Sequence, residues 1–220
     1  LELRFLVSEL QHLIGARLDR ILHPSSKELV LELYSTTSKK AIVRVFTPYA
    51  LYSTAKRITH SKTPSVFCLI LRKHLKNSRL RAIFQHSSER IVELNFSSKK
   101  GAFRIIFELF STGNIILCDE KGFILAAAER RQWSSRNIAI KEPYKLPPQR
   151  FDVFKMAIPQ MQQLLDESNK DSIVKALAVE MGLGRVYAEE LCLLSSVNKL
   201  SNPHSLARKD SMAPRLARCF

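Results

Sequence analysis

Asn114-Ile115-Ile116-Leu117-Cys118, then Asp119-Glu120-Lys121-Gly122, then Phe123-Ile124-Leu125-Ala126-Ala127-Ala128, is an apolar run, a charged turn ending in glycine, and a second apolar run. Runs of five or six residues are too short to hold a helix, and this punctuation is that of a β-hairpin. Working outward, the same rhythm continues. Leu80–His86, Arg90–Phe96 and Phe103–Phe110 are further strand runs, and Lys99-Lys100-Gly101 reads as another hairpin turn. Upstream, Arg17–Leu22, Glu28–Tyr34, Ala41–Phe46 and Ala50–Ala55 are β-branched or aromatic and separated by polar turns.

Two helices break this pattern. Leu3, Leu6, Val7, Leu10, Leu13 and Ile14 recur at three- and four-residue steps, and Gly15 stops the stripe. Pro64-Ser65 opens a second helix, Val66 to Leu75 fills it with Val66, Ile70 and Leu71 available for a core, and Lys76-Asn77-Ser78 ends it. Pro143-Tyr144-Lys145-Leu146-Pro147-Pro148 resists both helix and sheet and reads as a linker. Beyond it the pattern is helical, over Gln160–Asp166, Ser172–Met181 and Arg185–Leu194. The fold class expected is α+β: residues 1–148 as a domain of strands and two helices, 149–200 as a small all-helical domain, and 201–220 as an unplaced tail.

Between Leu33 and Ser88 there is no acidic residue, although the chain of 220 holds 20, and the window carries eleven Lys and Arg. Its densest part is Arg72, Lys73, Lys76, Arg79 and Arg81. With a net charge of +15, such a surface attracts a polyanion, and nucleic acid is the commonest one in a cell. The bland alternative is that Arg72, Lys73 and Lys76 only complement the helix dipole. Hydrophobic residues at 45% supply a real core rather than a basic tail. The four cysteines are widely spaced, which predicts reduced buried thiols and no zinc site. No apolar run nears the roughly 18 residues a membrane helix needs, and the amphipathic, charged start is not a signal peptide. No GxSxG, Walker loop or HExxH is present, so no catalytic residue, cofactor or metal is expected.

Three further features carry two readings each. Gly182-Leu183-Gly184, between helical runs and followed by Ala188, fits the turn of a helix-hairpin-helix whose backbone N–H groups face a phosphate; it also fits an ordinary packing turn, and Glu180, Glu189 and Glu190 weaken the phosphate reading. Glu89-Arg90 is a charged pair where the acid-free window ends, or a surface turn. Glu2 is an isolated carboxylate on the first helical turn, where the dipole alone favours it.

Glu2-Leu3, Ser8-Glu9-Leu10, Gly15-Ala16-Arg17, the helix Pro64-Ser65-Val66-Phe67-Cys68-Leu69-Ile70-Leu71-Arg72-Lys73-His74-Leu75, Glu89-Arg90-Ile91-Val92, Glu108-Leu109-Phe110, Gly113-Asn114-Ile115-Ile116-Leu117-Cys118-Asp119 and Tyr144-Lys145-Leu146-Pro147-Pro148 together resemble the N-terminal part of the NFACT family. Its members include the bacterial and archaeal RqcH proteins and the eukaryotic nuclear export mediator factor. The resemblance covers roughly residues 1–200, and Gly182-Leu183-Gly184 onward is similar to the family's helix-hairpin-helix. It implies an N-terminal two-sheet β domain like that of the formamidopyrimidine-type DNA glycosylases. It also implies a cytoplasmic factor in ribosome-associated quality control, which binds a large ribosomal subunit blocked by peptidyl-tRNA, recruits aminoacyl-tRNA and supports C-terminal tailing of the stalled chain. The ribosome's RNA performs peptide transfer, so the protein itself is not expected to be an enzyme.

In the family an Asp-Arg pair and an Asp at the start of the first helix handle tRNA. Here Glu89-Arg90 and Glu2 match them, with one methylene more in each acid. A homodimer is compatible with the sequence and not required by it. The family continues into a coiled coil and a further RNA-binding domain that this chain lacks. The chain starts at Leu1 rather than Met, so a fragment of a longer protein is expected. Two other classes compete. A base-excising glycosylase would need the N-terminal Pro-Glu pair, and no Pro precedes Glu2. A surface adhesin, a name some bacterial relatives carry, sits poorly with the charge and the cysteine pattern.

Overall fold

The computed structural model describes residues 2–35, 39–56, 63–133, 136–147, 152 and 155–204. The chain divides into two compact units, Leu1–Pro148 and Gln149–Phe220.

The first unit is built on nine antiparallel strands: β1 Arg17–Ser25, β2 Glu28–Ser35, β3 Lys39–Phe46, β4 Ala50–Thr54, β5 Arg79–Gln85, β6 Ile91–Ser98, β7 Gly101–Glu108, β8 Asn114–Asp119 and β9 Ile124–Ala127. Hydrogen bonds join them in the order β4-β3-β2-β1-β5-β6-β7-β8-β9. The expectation of two sheets is corrected here, because one ladder runs through all nine strands. Its narrowest point is between β1 and β5, which share the single register pair Arg17 and Arg79. Four backbone bonds flank that pair: Leu18 N–H to Ser78 O at 2.8 Å, Leu80 N–H to Ala16 O at 2.9 Å, Gly15 N–H to Leu80 O at 2.8 Å and Asn77 N–H to Leu18 O at 2.9 Å.

The ladder closes back on itself beyond this seam. Gly113, in the β7–β8 turn, lies against Thr47 and Pro48 of the β3–β4 turn, and Lys27 Nζ donates to Thr112 O at 2.7 Å. Alternate residues of both halves therefore meet in one core, with Leu29, Leu31 and Val43 from one and Leu94, Ile105 and Leu117 from the other. The opposite faces of β7 and β8 are buried too, with Ile106, Ile116 and Cys118 in a smaller cluster. Burial on both faces is why these strands read as unbroken apolar runs instead of alternating ones.

Helix α1, Glu2–Glu9, runs into a 3₁₀ turn, Leu10–Leu13. Helix α2 spans Val66–Leu75, capped by the Ser65 side chain, which accepts from Cys68 N–H at 3.1 Å. Phe67, Cys68, Leu71 and Leu75 are its core residues. Val66, expected in the core, is 74% exposed, because the buried stripe is one residue out of phase with it.

Two features escaped the sequence. A two-stranded hairpin, β10 Arg131–Gln132 with β11 Asn137–Ile138, has strands too short to show a period. The expected linker begins as a docked segment: Phe123 bridges Pro143, and Tyr144 N–H donates to Gly122 O at 2.9 Å.

The second unit holds α3 Ile158–Glu167, α4 Ile173–Lys175 continuing as a π turn over Ala176–Glu180, and α5 Gly184–Leu194. Met161, Leu165, Ile173, Leu177, Ala188 and Cys192 form its core. The turn before α5 is tight, and Gly182 and Gly184 both need positive φ, 70° and 74°. Gly182-Leu183-Gly184 thus joins the π turn to α5, where the sequence expects a turn. Of the tail expected over 201–220, residues 205 onward lie outside the described residues, as does Pro148.

Candidate nucleic-acid interface

Beyond Arg17 the second edge of β1 has no strand partner among the described residues, and α2 packs along it. The Ile21 carbonyl on that edge is satisfied by Arg72, which donates from Nε at 2.9 Å and from Nη2 at 2.7 Å, with Cys68 Sγ at 3.6 Å. Burial pushes the Cys68 thiol pKa up, partly offset by Arg72. Arg72 therefore seals a strand edge as well as carrying charge. Lys73 and Lys76 follow on the exposed side. The Lys73 carbonyl, left open at the helix end, accepts from Lys100 Nζ at 2.9 Å. Between these two amines, His74 packs on Phe103 at 5.1 Å, and burial first, then Lys73 and Lys100, lower its pKa.

On β5, Arg79 and Arg81 are exposed. Arg79 Nη1 donates to Gly15 O at 3.1 Å and Arg81 Nε to Ser97 Oγ at 2.6 Å. Among the described residues none of Arg72, Lys73, Lys76, Arg79 and Arg81 forms an ion pair, whereas Lys27, Lys40, Arg44, Arg104 and Arg136 each do. The charge gap is narrower than the sequence implies, because Lys40 and Arg44 are neutralised by Glu32 and Glu28 from the neighbouring strand. It survives at α2 and β5.

Glu89 and Arg90 sit in the β5–β6 turn, at the other end of β5. A seven-residue strand puts about 20 Å between that turn and Arg79. The two side chains do not pair with each other among the described residues. Gln85 Nε2 donates to Glu89 O at 2.8 Å, and Arg90 Nε donates to Leu109 O at 2.6 Å. The buried acid beside this turn is Glu93, 2.9 Å from His86 Nε2. Glu2 is exposed on the first turn of α1. In the second unit, the Leu183 N–H of Gly182-Leu183-Gly184 is directed at Leu177 O, at 3.4 Å.

The profile of the NFACT N-terminal and middle domains matches residues 1–213. The chain belongs to the NFACT family. It is 31% identical over 203 residues to the archaeal Rqc2 homologue aRqcH of Methanocaldococcus jannaschii, covering 88% of this chain and 30% of that protein. To the human ribosome quality control complex subunit NEMF it is 26% identical over 178 residues, 80% of this chain and 16% of that protein. Among solved structures it is similar to the N-terminal domain of the fibronectin-binding protein PavA from Streptococcus pneumoniae, with a TM-score of 0.76, 26% identity, and coverage of 89% of this chain and 79% of that one. The chain thus spans less than a third of these two curated relatives.

For this NFACT chain, two further cations lie beside this cluster that the sequence pattern does not single out. Arg20 lies before the acid-free window, next to Asp19, and Lys100 was read only as part of a hairpin turn. The fold places Arg20 beside Arg72 and Lys76, and Lys100 against the end of α2. Only the packing of α2 on β1 and the β6–β7 hairpin could have revealed them.

Proposed function

We propose that this chain is the RNA-gripping N-terminal module of a ribosome-associated quality control factor, acting in the cytoplasm on large ribosomal subunits that still hold peptidyl-tRNA. The observation that carries it is the cluster Arg20, Arg72, Lys73, Lys76, Arg79 and Arg81 on β1, α2 and β5, none of which forms an ion pair among the described residues, the nearby Asp19 facing Arg17 instead. An ordinary solvated face mixes signs, and this one meets phosphates at the cost of little desolvation. Arg72, Lys73, Lys76, Arg79 and Arg81 contact RNA backbone in this reading, with Arg20 and Lys100 added. Glu89 and Arg90 handle tRNA some 20 Å away along β5, a span within one folded tRNA, and Glu2 does so from the first turn of α1. The turn Gly182-Leu183-Gly184 works as the turn of a helix-hairpin-helix, and the first unit shares the N-terminal fold of formamidopyrimidine-type glycosylases. No catalytic group is assigned to the chain; peptide transfer is left to the ribosome, and C-terminal tailing draws on the parts of the whole protein that this chain does not span.

The test is tRNA affinity measured against salt for the wild type and for Lys73→Ala, Lys76→Ala and Lys100→Ala. Each lost phosphate contact weakens binding and lowers the slope of log affinity on log salt by a little under one unit. Unchanged affinity and slope in the triple variant would refute the reading. Cleavage of an oxidised-base duplex by the chain would instead favour the glycosylase alternative.

A further inference from the structure

Asp19, Arg20 and Ile21 of β1 and Arg72 and Lys76 at the end of α2 line an open pocket of about 200 Å³. We propose that this pocket is a seat for one phosphate group, with Arg72 as its fixed wall and Arg20 and Lys76 as its mobile arms. The proposal rests on the nucleic-acid reading above and adds a defined point of contact to it.

Three observations carry it. The first is the bulge in β1. Its register with β2 shifts between Leu18 and Arg20, so Asp19 is the extra residue. In a regular strand, neighbours point to opposite faces; a bulge lets two successive side chains border one site. The second is the state of Arg72. Two hydrogen bonds to a single carbonyl fix its guanidinium before any ligand arrives. Beyond these bonds and its interaction with the Cys68 thiol, the guanidinium still has N–H groups to offer, so a phosphate gains donors at little loss of side-chain entropy. The third is charge. Three cations and one carboxylate leave an excess of two positive charges. Neither Arg20 nor Lys76 has an ion-pair partner among the described residues, and Asp19 faces Arg17 at 3.7 Å. Such an excess suits a bridging phosphodiester or a terminal phosphate monoester, and the volume admits either with a few waters.

Asp19 makes the proposal sharply testable, because it is the one group in the pocket that repels the ligand. Inorganic phosphate is titrated into the 220-residue chain while the arginine Nε–Hε resonances are followed by NMR. The expected result is a saturable shift at Arg72 and Arg20. Arg20→Ala and Lys76→Ala weaken it roughly tenfold each. Asp19→Asn tightens it a few-fold, while Glu120→Gln, the same charge change on the exposed β8–β9 turn, does not. Absence of a saturable shift, or equal effects of Asp19→Asn and Glu120→Gln, overturns the seat. Arg72→Lys is used in place of Arg72→Ala, because it retains a donor for the Ile21 carbonyl.

A second arm separates the sources and the two readings. If the seat holds a terminal phosphate, removing the 5′-phosphate from tRNA erases the effect of Arg20→Ala; if it holds a bridging phosphate, the effect persists. If tRNA binds and depends on Lys73 and Lys100 but not on Arg20, the RNA reading stands and the seat as its contact falls. If tRNA does not bind while inorganic phosphate still does, the RNA reading falls and the seat stands.

Discussion

Gly113 has no room for a side chain. A Cβ there would lie 2.6 Å from Thr47 Cβ and 2.9 Å from Pro48 N, at a φ of 71° that L residues rarely adopt. Gly113→Ala is therefore expected to cost about 1–3 kcal/mol, read as a lower denaturant midpoint with an unchanged slope. Two histidines make a pH prediction. Burial lowers the pKa of His23, and burial with Lys73 and Lys100 lowers that of His74, each from the ordinary value of 6.5. Below 6.5 the unfolded chain binds protons that the folded chain resists. The stability these groups contribute is present above that pH and is lost as pH falls through their lowered folded values. Melting temperature should drop between pH 7 and pH 5, and drop less in the His23→Gln/His74→Gln variant; identical pH profiles would contradict this.

At the scale of elements, the hairpin β10–β11 is held by a buried ion pair. Arg136 reaches Glu108 with Nη1 at 2.5 Å and Nη2 at 3.2 Å, and Tyr144 OH donates to the same carboxylate at 3.0 Å. Burial and that carboxylate drive the Tyr144 pKa strongly upward. Arg136 also lies 4.5 Å from the Trp133 ring. Arg136→Ala leaves a buried carboxylate short of its cation and should cost about 3–5 kcal/mol. Replacing both partners, as Arg136→Met with Glu108→Leu, should cost much less, and equal losses in urea unfolding would argue against the pair as the cause. None of this could be read from the sequence, because a two-residue strand has no period and Glu108 and Arg136 are 28 residues apart. By contrast, the run Val66–Leu75 and the nine strand runs were legible within a residue or three, since capping, period and turn chemistry are local. What stayed hidden was long-range: that β1 pairs β5 and joins two expected sheets into one, that Glu28 and Glu32 reach across to cancel Arg44 and Lys40, and that Arg20 joins Arg72.

For the molecule as a whole, each compact unit has a core of its own, and the two clusters share no residue. Calorimetry of the chain should resolve two unfolding transitions, the larger belonging to the sheet unit, and a single transition with equal calorimetric and van't Hoff enthalpies would disprove that. The site was partly legible at this scale. The missing acids between Leu33 and Ser88 point to α2 and β5, but only folding shows which cations carry no ion pair among the described residues.

The single register pair at Arg17 and Arg79 has one more consequence. A sheet stitched elsewhere by three to eight pairs but here by one has a built-in tear line, and the amides of Leu18 and Leu80 should be the first in the ladder to trade hydrogen for deuterium. Arg17, Arg20, Lys76 and Arg79 stand along that line. A polyanion laid across them would act as a suture, and slower exchange at those two amides would report its arrival without any label on the RNA.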